Sequence, residues 1–392
     1  MGKSAQQPNG PPDAGRAYTK RLRWVAELRF VAFYVAVLGY SLAQVHKWVA
    51  AAVEGTTTNF YLQIALCWIP LWLVCTVASF PVSLYCFHIA RNFQVVKLDL
   101  FDWVWDFLKA SAVGFILGGT IIQIAFAVDS VEPAYGWIAA GILCSLLFVA
   151  VNRSIPWLLS LFYPVVPLSD IHLHEKLGQL AIKAGLPVGP IYEWRISKRT
   201  RAANALVAGV GSVRRILLTD TLIAALTAEE VESIVAHELG HCALHHIRKR
   251  LLLQSLIFIV ILGIINFAVR IDLIAFVDEN KGWRDLRLLP GFFLYWNLAY
   301  IWGHMLLSSL SRKQEKAADL YSWNLMGRAA PFITAMRKLS DLNLIVFDKD
   351  SAWRYMHPPI ADRLAAAEKF AKEQGETVGA PGAAATMGLE SS

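Results

Sequence analysis

The residues with the clearest capacity for chemistry are His237, Glu238 and His241, in the run His237-Glu-Leu-Gly-His241. On a helix, a spacing of four puts both imidazoles on one face, where they can share one tetrahedral zinc ion per chain. Glu238 then projects toward the open coordination position, where a carboxylate can serve as the base for hydrolysis. The surrounding sequence predicts that helix, because Thr227 with Glu230 three residues later is a capping-box signature and good helix formers follow. A solvated histidine pair on a helix surface would show the same pentapeptide, so the location of a third ligand decides. His245, eight residues after His237, is rotated away from the metal face, and both His245 and His246 are assigned to the helix surface or to a place behind the ligands. Cys242 reads as a packed thiol. His88, His172, His174 and His304 have no evident partner.

The elements that must position these groups are membrane helices. The chain has 392 residues, 56% of them hydrophobic, with a positive mean hydropathy, which is too apolar for a normal soluble surface. A net charge of +7 does not indicate nucleic acid, since the Lys and Arg residues sit in short clusters beside apolar runs and form no continuous basic face. Spanning the bilayer takes about 20 apolar residues, and six stretches qualify: 27–47, 61–84, 106–128, 134–160, 251–270 and 288–310. Pro70 and Pro81 interrupt the second, so a seventh span or a re-entrant piece is the alternative there. With six spans, the clusters at 16–23, 91–97, 248–250 and 312–316 all fall on one side, which the positive-inside rule makes cytoplasmic. Five cysteines lack paired spacing, and no disulfide framework is expected.

His241 lies about ten residues before the fifth span and Glu315 about five after the sixth. Two successive spans form an antiparallel hairpin, so the chain leaves the membrane near where it entered and Glu315 can return to the zinc. Asp319, one turn further, is a natural acceptor for a ligand histidine N–H. Residues 163–250 read as a small α+β unit. Leu173, Leu177, Leu180 and Ala181 predict a helix that stops at Gly185, strands follow at 190–196, 203–208 and 215–219, and Gly209 and Gly211 mark a hairpin turn. The strand after Asn204 could dock an extended peptide at a sheet edge.

The region from Tyr163 to Leu364 resembles the type I CAAX prenyl protease family and the related HtpX-type membrane metallopeptidases. The resemblance rests on Asn204-Ala205, Asp220-Thr221-Leu222, His237-Glu-Leu-Gly-His241, the Glu315 to Asp319 pattern, and His357-Pro358-Pro359 followed by Arg363, all in one order. It implies zinc held by His237, His241 and Glu315, a catalytic Glu238, and a chamber among the membrane helices. His357 would lie near the site and hydrogen-bond the tetrahedral oxyanion, with Arg363 as its anchor or helper. Upstream, Pro81, Tyr85, Asp106 and Lys109 are similar to the family's pattern, whereas Phe93 to Lys97 lacks the Gly-Phe-Asn-type sequence of the prenyl proteases.

The expected protein is therefore mainly α, a polytopic transmembrane helical bundle of six or seven spans carrying a small α+β zinc-metallopeptidase unit of gluzincin type. Its expected organisation is a disordered basic tail (1–25), N-terminal transmembrane helices (26–162), the metallopeptidase unit with the H-E-x-x-H helix (163–250), a transmembrane hairpin (251–310), the third-ligand helix with the rest of the catalytic unit (311–370) and a second tail (371–392). Its expected partners are membrane lipid and a protein or peptide substrate, lipidated or not, with no nucleic acid. A catalytic site on the cytoplasmic face of a bacterial plasma membrane is preferred, an endomembrane being the alternative. A metal transporter or channel using the His cluster is the competing function, and it requires ligands at mid-membrane depth.

Overall fold

The computed structural model describes residues 11–132, 134–186, 189–208, 214–271, 282–344 and 357–376. The membrane part is built from helices α1 (Pro11–Leu42), α2 (Val45–Glu54), α3 (Phe60–Asn92), α4 (Leu100–Val131), α5 (Gly136–Arg153) and α6 (Ile155–Ser160). Asn59 and Asp99 cap α3 and α4 by accepting the N–H groups of Leu62 and Asp102. Among the described residues, five helices are long and apolar enough to cross a bilayer: α1, α3, α4, α5 and α10 (His246–Arg270). The sixth expected span, 288–310, lies in the first part of α11 (Leu289–Met326), where Tyr295, Trp296, Asn297, Tyr300 and His304 dilute the apolar character. It still belongs to the bundle, because Phe292 and Leu307 join Trp68, Phe126 and Leu262 in one buried core.

The Pro-interrupted stretch is a single helix, and α3 runs through Pro70 and Pro81 without a second span. Close packing holds the bundle together. A Cβ on Gly141 would lie 2.7 Å from the Ile259 side chain, so α5 meets α10 at a distance only glycine permits.

The catalytic unit carries a four-stranded sheet of order β1-β2-β4-β3, with β1 (Val165–Pro167), β2 (Ile191–Trp194), β3 (Ala205–Ala208) and β4 (Arg215–Thr219). β2 and β4 are parallel and the two outer pairs antiparallel, which leaves β3 on an edge. Helix α7 (Ile171–Lys183) ends as expected at Gly185, where φ is +66° and the N–H groups of Gly185 and Leu186 satisfy the Ile182 and Ala181 carbonyls. Then come α8 (Asp220–Ala225), α9 (Ala228–Ala243) and, after α10 and α11, α12 (Ala330–Asn343) and α13 (Ile360–Glu373). One hydrophobic core joins Leu177, Leu218 and Leu239 to Trp323, Phe332 and Ala367, so two chain segments flanking the α10–α11 hairpin build a single unit.

Two expectations meet a different structure, and one further element was not foreseen. The tail assigned to 1–25 is helical from Pro11, because Tyr18 and Val25 are buried against Ile89, Ala90 and Val95. The tail assigned to 371–392 begins later, since α13 continues to Glu373 and the Glu376 carboxylate accepts the free N–H groups of Ala329 and Ala330 at the start of α12. Strand β1 was not expected at all. The turn at Gly209 and Gly211 lies outside the described residues. All five cysteines are free thiols, as expected.

The helix α9 starts with the predicted capping box. Glu230 N–H donates to Thr227 Oγ1 at 3.3 Å, and Thr227 N–H donates to Glu230 Oε2 at 2.8 Å. Burial alone would raise the Glu230 carboxyl, but Lys338 and the Thr227 N–H hold it below the usual carboxylate range. A depressed pKa contributes stability above the unfolded-state value, and that contribution is lost as pH falls through the folded-state value. Glu230→Gln should therefore lower the melting temperature at pH 7, and the gap from wild type should close as pH falls below about 4. Thermal unfolding across that range checks this.

Candidate metal centre

Helix α9 carries His237 and His241 one turn apart, and α11 brings Glu315 against both. His237 Nε2 lies 3.2 Å from His241 Nε2, 3.5 Å from Glu315 Oε2, and His241 Nε2 lies 3.4 Å from Glu315 Oε1. Zinc bonds of 2.0–2.1 Å in a tetrahedron separate their ligand atoms by about 3.3 Å, so the two imidazole nitrogens have the spacing of a tetrahedral edge and each faces one oxygen of the Glu315 carboxylate at a similar distance. The approach is possible because the glycine of the motif faces α11. A Cβ at Gly240 would lie 3.2 Å from Ala318 Cα and 3.1 Å from the Tyr321 ring.

The polar atoms fit a cation. His237 Nδ1 is 2.8 Å from Asp319 Oδ1 and His241 Nδ1 is 3.0 Å from His246 Nδ1, so both Nε2 lone pairs turn toward one point. Glu315 Oε2 is buried and makes no well-directed hydrogen bond among the described residues, although the His237 and His357 imidazoles and the Arg363 guanidinium approach it. Burial would raise the Glu315 carboxyl, yet the surrounding histidines hold it far below the usual range. Burial would lower the His237 imidazole, but Asp319 and Glu315 push it up to about 9. A cation must displace that proton, so its binding strengthens as pH rises toward that value.

Asp319 is itself gripped. Arg363, on the first turn of α13, donates from Nε to Asp319 Oδ2 at 2.8 Å and from Nη2 to Oδ1 at 2.6 Å. Its guanidinium lies over the Phe332 ring, 5.5 Å from the centroid. Burial would raise the Asp319 carboxyl, but Arg363 and His237 keep it lowered and hence charged. Arg363 is thus the anchor of Asp319. His357 Nδ1 approaches Glu315 Oε2 at 2.9 Å from an exposed position. Glu238 is half-buried on the same helix, with no hydrogen bond or salt bridge among the described residues.

Asn204 is not part of this cluster. It stands at the head of β3, donating its N–H to Thr219 Oγ1 and folding its Oδ1 back onto the Ala205 N–H. The Asp220-Thr221-Leu222 motif has a mechanical role. Asp220 receives the N–H groups of Ile196, Ser197 and Thr221 and the Ser197 hydroxyl, fixing the loop after β2. That loop grips the membrane part: Lys97 N–H donates to Arg199 O, Arg201 N–H donates to Val95 O, and Arg199 pairs with Asp106, which Lys109 also contacts at 2.7 Å. Sequence reasoning found Asp106, Lys109 and Asp220 by resemblance alone, without these jobs. It left His246 between two assignments, because the helix break at His245 has no pattern to detect.

Among the described residues, His237, His241 and Glu315 lie outside the five helices long and apolar enough to cross a bilayer, whereas a metal path across the membrane needs ligands at mid-membrane depth. The fold and the site together define an integral membrane metallopeptidase. The profile of peptidase family M48 matches residues 167–371, and the chain belongs to that family. It is 31% identical over 307 residues to the CAAX prenyl protease 1 homolog of Arabidopsis thaliana, covering 74% of this chain and 70% of that one. It is 27% identical over 358 residues to the uncharacterized metalloprotease YhfN of Bacillus subtilis, covering 87% and 80%. The crystal structure of S. mikatae Ste24p shares the fold, with a TM-score of 0.78 at 22% identity, over 91% of this chain and 88% of that one.

Removing the Asp319 carboxylate frees the His237 ring and takes from the buried Arg363 guanidinium its hydrogen-bonded counter-ion, leaving Glu315 Oε2 at 3.7 Å from Nη1. Asp319→Ala should weaken metal affinity about 10–100-fold and destabilise the metal-free protein by about 3–5 kcal/mol. Chelator competition and thermal unfolding measure the two effects separately.

Proposed function

We propose that this protein is a zinc-dependent endopeptidase that hydrolyses peptide bonds in membrane-associated proteins or peptides. The observation that carries the reading is the convergence of two imidazole nitrogens and one carboxylate, with contacts of 3.2–3.5 Å, from helices α9 and α11. His237, His241 and Glu315 would hold one zinc ion. When bound, zinc supplies Lewis-acid polarisation of the substrate carbonyl and acidifies water at neutral pH.

Glu238 takes a proton from the attacking water as its oxygen bonds to the carbonyl carbon, and passes it to the departing amine as the C–N bond breaks. His357, exposed beside Glu315, is placed to donate to the oxyanion that develops on the carbonyl. Arg363 acts through Asp319 and not on substrate. An extended substrate segment would add to the outer edge of β3, with Asn204 at the start of that strand.

The Glu238 and Glu315 roles are separable. Glu238→Gln keeps size and removes the base, so it should abolish turnover with zinc content unchanged. Glu315→Ala removes a ligand and should lower zinc content and activity together, with partial rescue by added zinc. Full zinc content and activity in Glu315→Ala would refute the ligand set.

The prenyl protease names of several relatives support a lipidated substrate, while the departure at 93–97 leaves unlipidated membrane peptides as the competing class. A matched panel of prenylated and unprenylated peptides separates them, and a lipidated preference should exceed tenfold in kcat/KM.

The catalytic unit is proposed to face the cytoplasm. The basic start of α1, the 95–97 linker and the catalytic unit touch one another, so one side carries all of them. A tag at Ser392 should be accessible only in inside-out vesicles, and labelling in intact cells would reverse the assignment.

A further inference from the structure

Helix α9 ends at Ala243, and the chain does not continue smoothly into α10. His245 adopts the left-handed conformation, with φ 56° and ψ 31°, and α10 begins at His246. A residue with a Cβ rarely takes that conformation unless its surroundings demand it. In an unbroken helix, His246 would sit about 140° around the axis from His241, facing away from the metal side. The break turns it back. His246 is buried, its Nδ1 is 3.0 Å from His241 Nδ1, and the two rings meet edge to face at 71°.

We propose that His246 is a positioning residue for the second histidine ligand. The inference rests on His241 binding the metal, as proposed above. A ligating Nε2 needs its lone pair, so neutral His241 carries its proton on Nδ1 and donates it to His246 Nδ1. His246 then keeps its own proton on Nε2. The two ligand histidines thus have unlike supports: His237 is oriented by the charged Asp319–Arg363 pair, and His241 by a neutral imidazole. His246 is also the first residue of a membrane-spanning helix, so the direction of the second ligand is set from the membrane side of the unit.

The test uses the full-length protein in detergent, loaded with Zn2+ or with Co2+ as a spectroscopic probe. His246→Phe keeps the ring volume without an acceptor, His246→Ala removes the acceptor and leaves space, and His246→Gln offers an amide oxygen in its place. The Phe and Ala variants should bind zinc about 10–100-fold more weakly in chelator competition and shift the visible Co2+ bands. His246→Gln should recover most of the affinity, and metal-free melting temperatures of Gln and wild type should agree. Should Phe not fold, the Ala and Gln pair carries the same comparison. His241→Ala is the control for the underlying reading. If it retains stoichiometric zinc, the ligand assignment fails. If it loses zinc while Phe or Ala keeps wild-type affinity and Co2+ spectrum, or while Gln loses as much as Ala, the positioning role is overturned.

Discussion

The contact of α9 with α11 at Gly240 and Ala318 is the constraint on which the site depends. Both helices contribute to one hydrophobic core, and their close approach converts a histidine pair and a distant glutamate into one cluster. A larger residue at Gly240 would have to displace backbone, because Ala318 Cα and the Ala318 carbonyl stand 3.2 Å from any Cβ there. The buried ion pair of Asp319 with Arg363 then adds α13 to the same two helices. Taking those charges out of water is costly, and it is repaid by bidentate hydrogen bonds and by the histidine that Asp319 orients.

The membrane bundle and the catalytic unit meet at more than the α10–α11 hairpin. The strand-like contact of 95–97 with 199–201, the pairing of Arg199 with Asp106 and the clamp of Asp220 on the 196–197 turn form one chain of polar contacts from α4 to the end of β4. That chain ends beside Asn204, where the edge strand β3 begins. The departure from the prenyl protease pattern at 93–97 therefore falls on a segment that touches the loop leading to the edge strand.

Much of this was legible in the residue order. The spacing of His237 and His241, the Thr227 and Glu230 cap and the apolar face of α7 are local patterns, each set by helical periodicity within a few residues. Glu315 was legible for a different reason, since two spans in succession force the chain back to its starting side. What the sequence concealed depends on contacts between distant segments. The early start of α1 follows from burial of Tyr18 and Val25 against the end of α3, and Glu376 caps a helix 46 residues away. The place of His246 depends on a left-handed turn at a residue whose type does not ask for one.

The single core shared by the segments on either side of the hairpin also orders events during synthesis. His237 and His241 leave the ribosome well before Glu315, Asp319 and Arg363, and α10 and α11 come between them. Until α11 has been made, the nascent chain has the two histidines and part of the hydrophobic core but neither Glu315 nor Trp323. Domains generally fold as units as they emerge, but this one cannot close before its membrane helices are in place. The cluster of His237, His241 and Glu315 therefore draws on chain made before and after α10, and it is complete only when both parts are present.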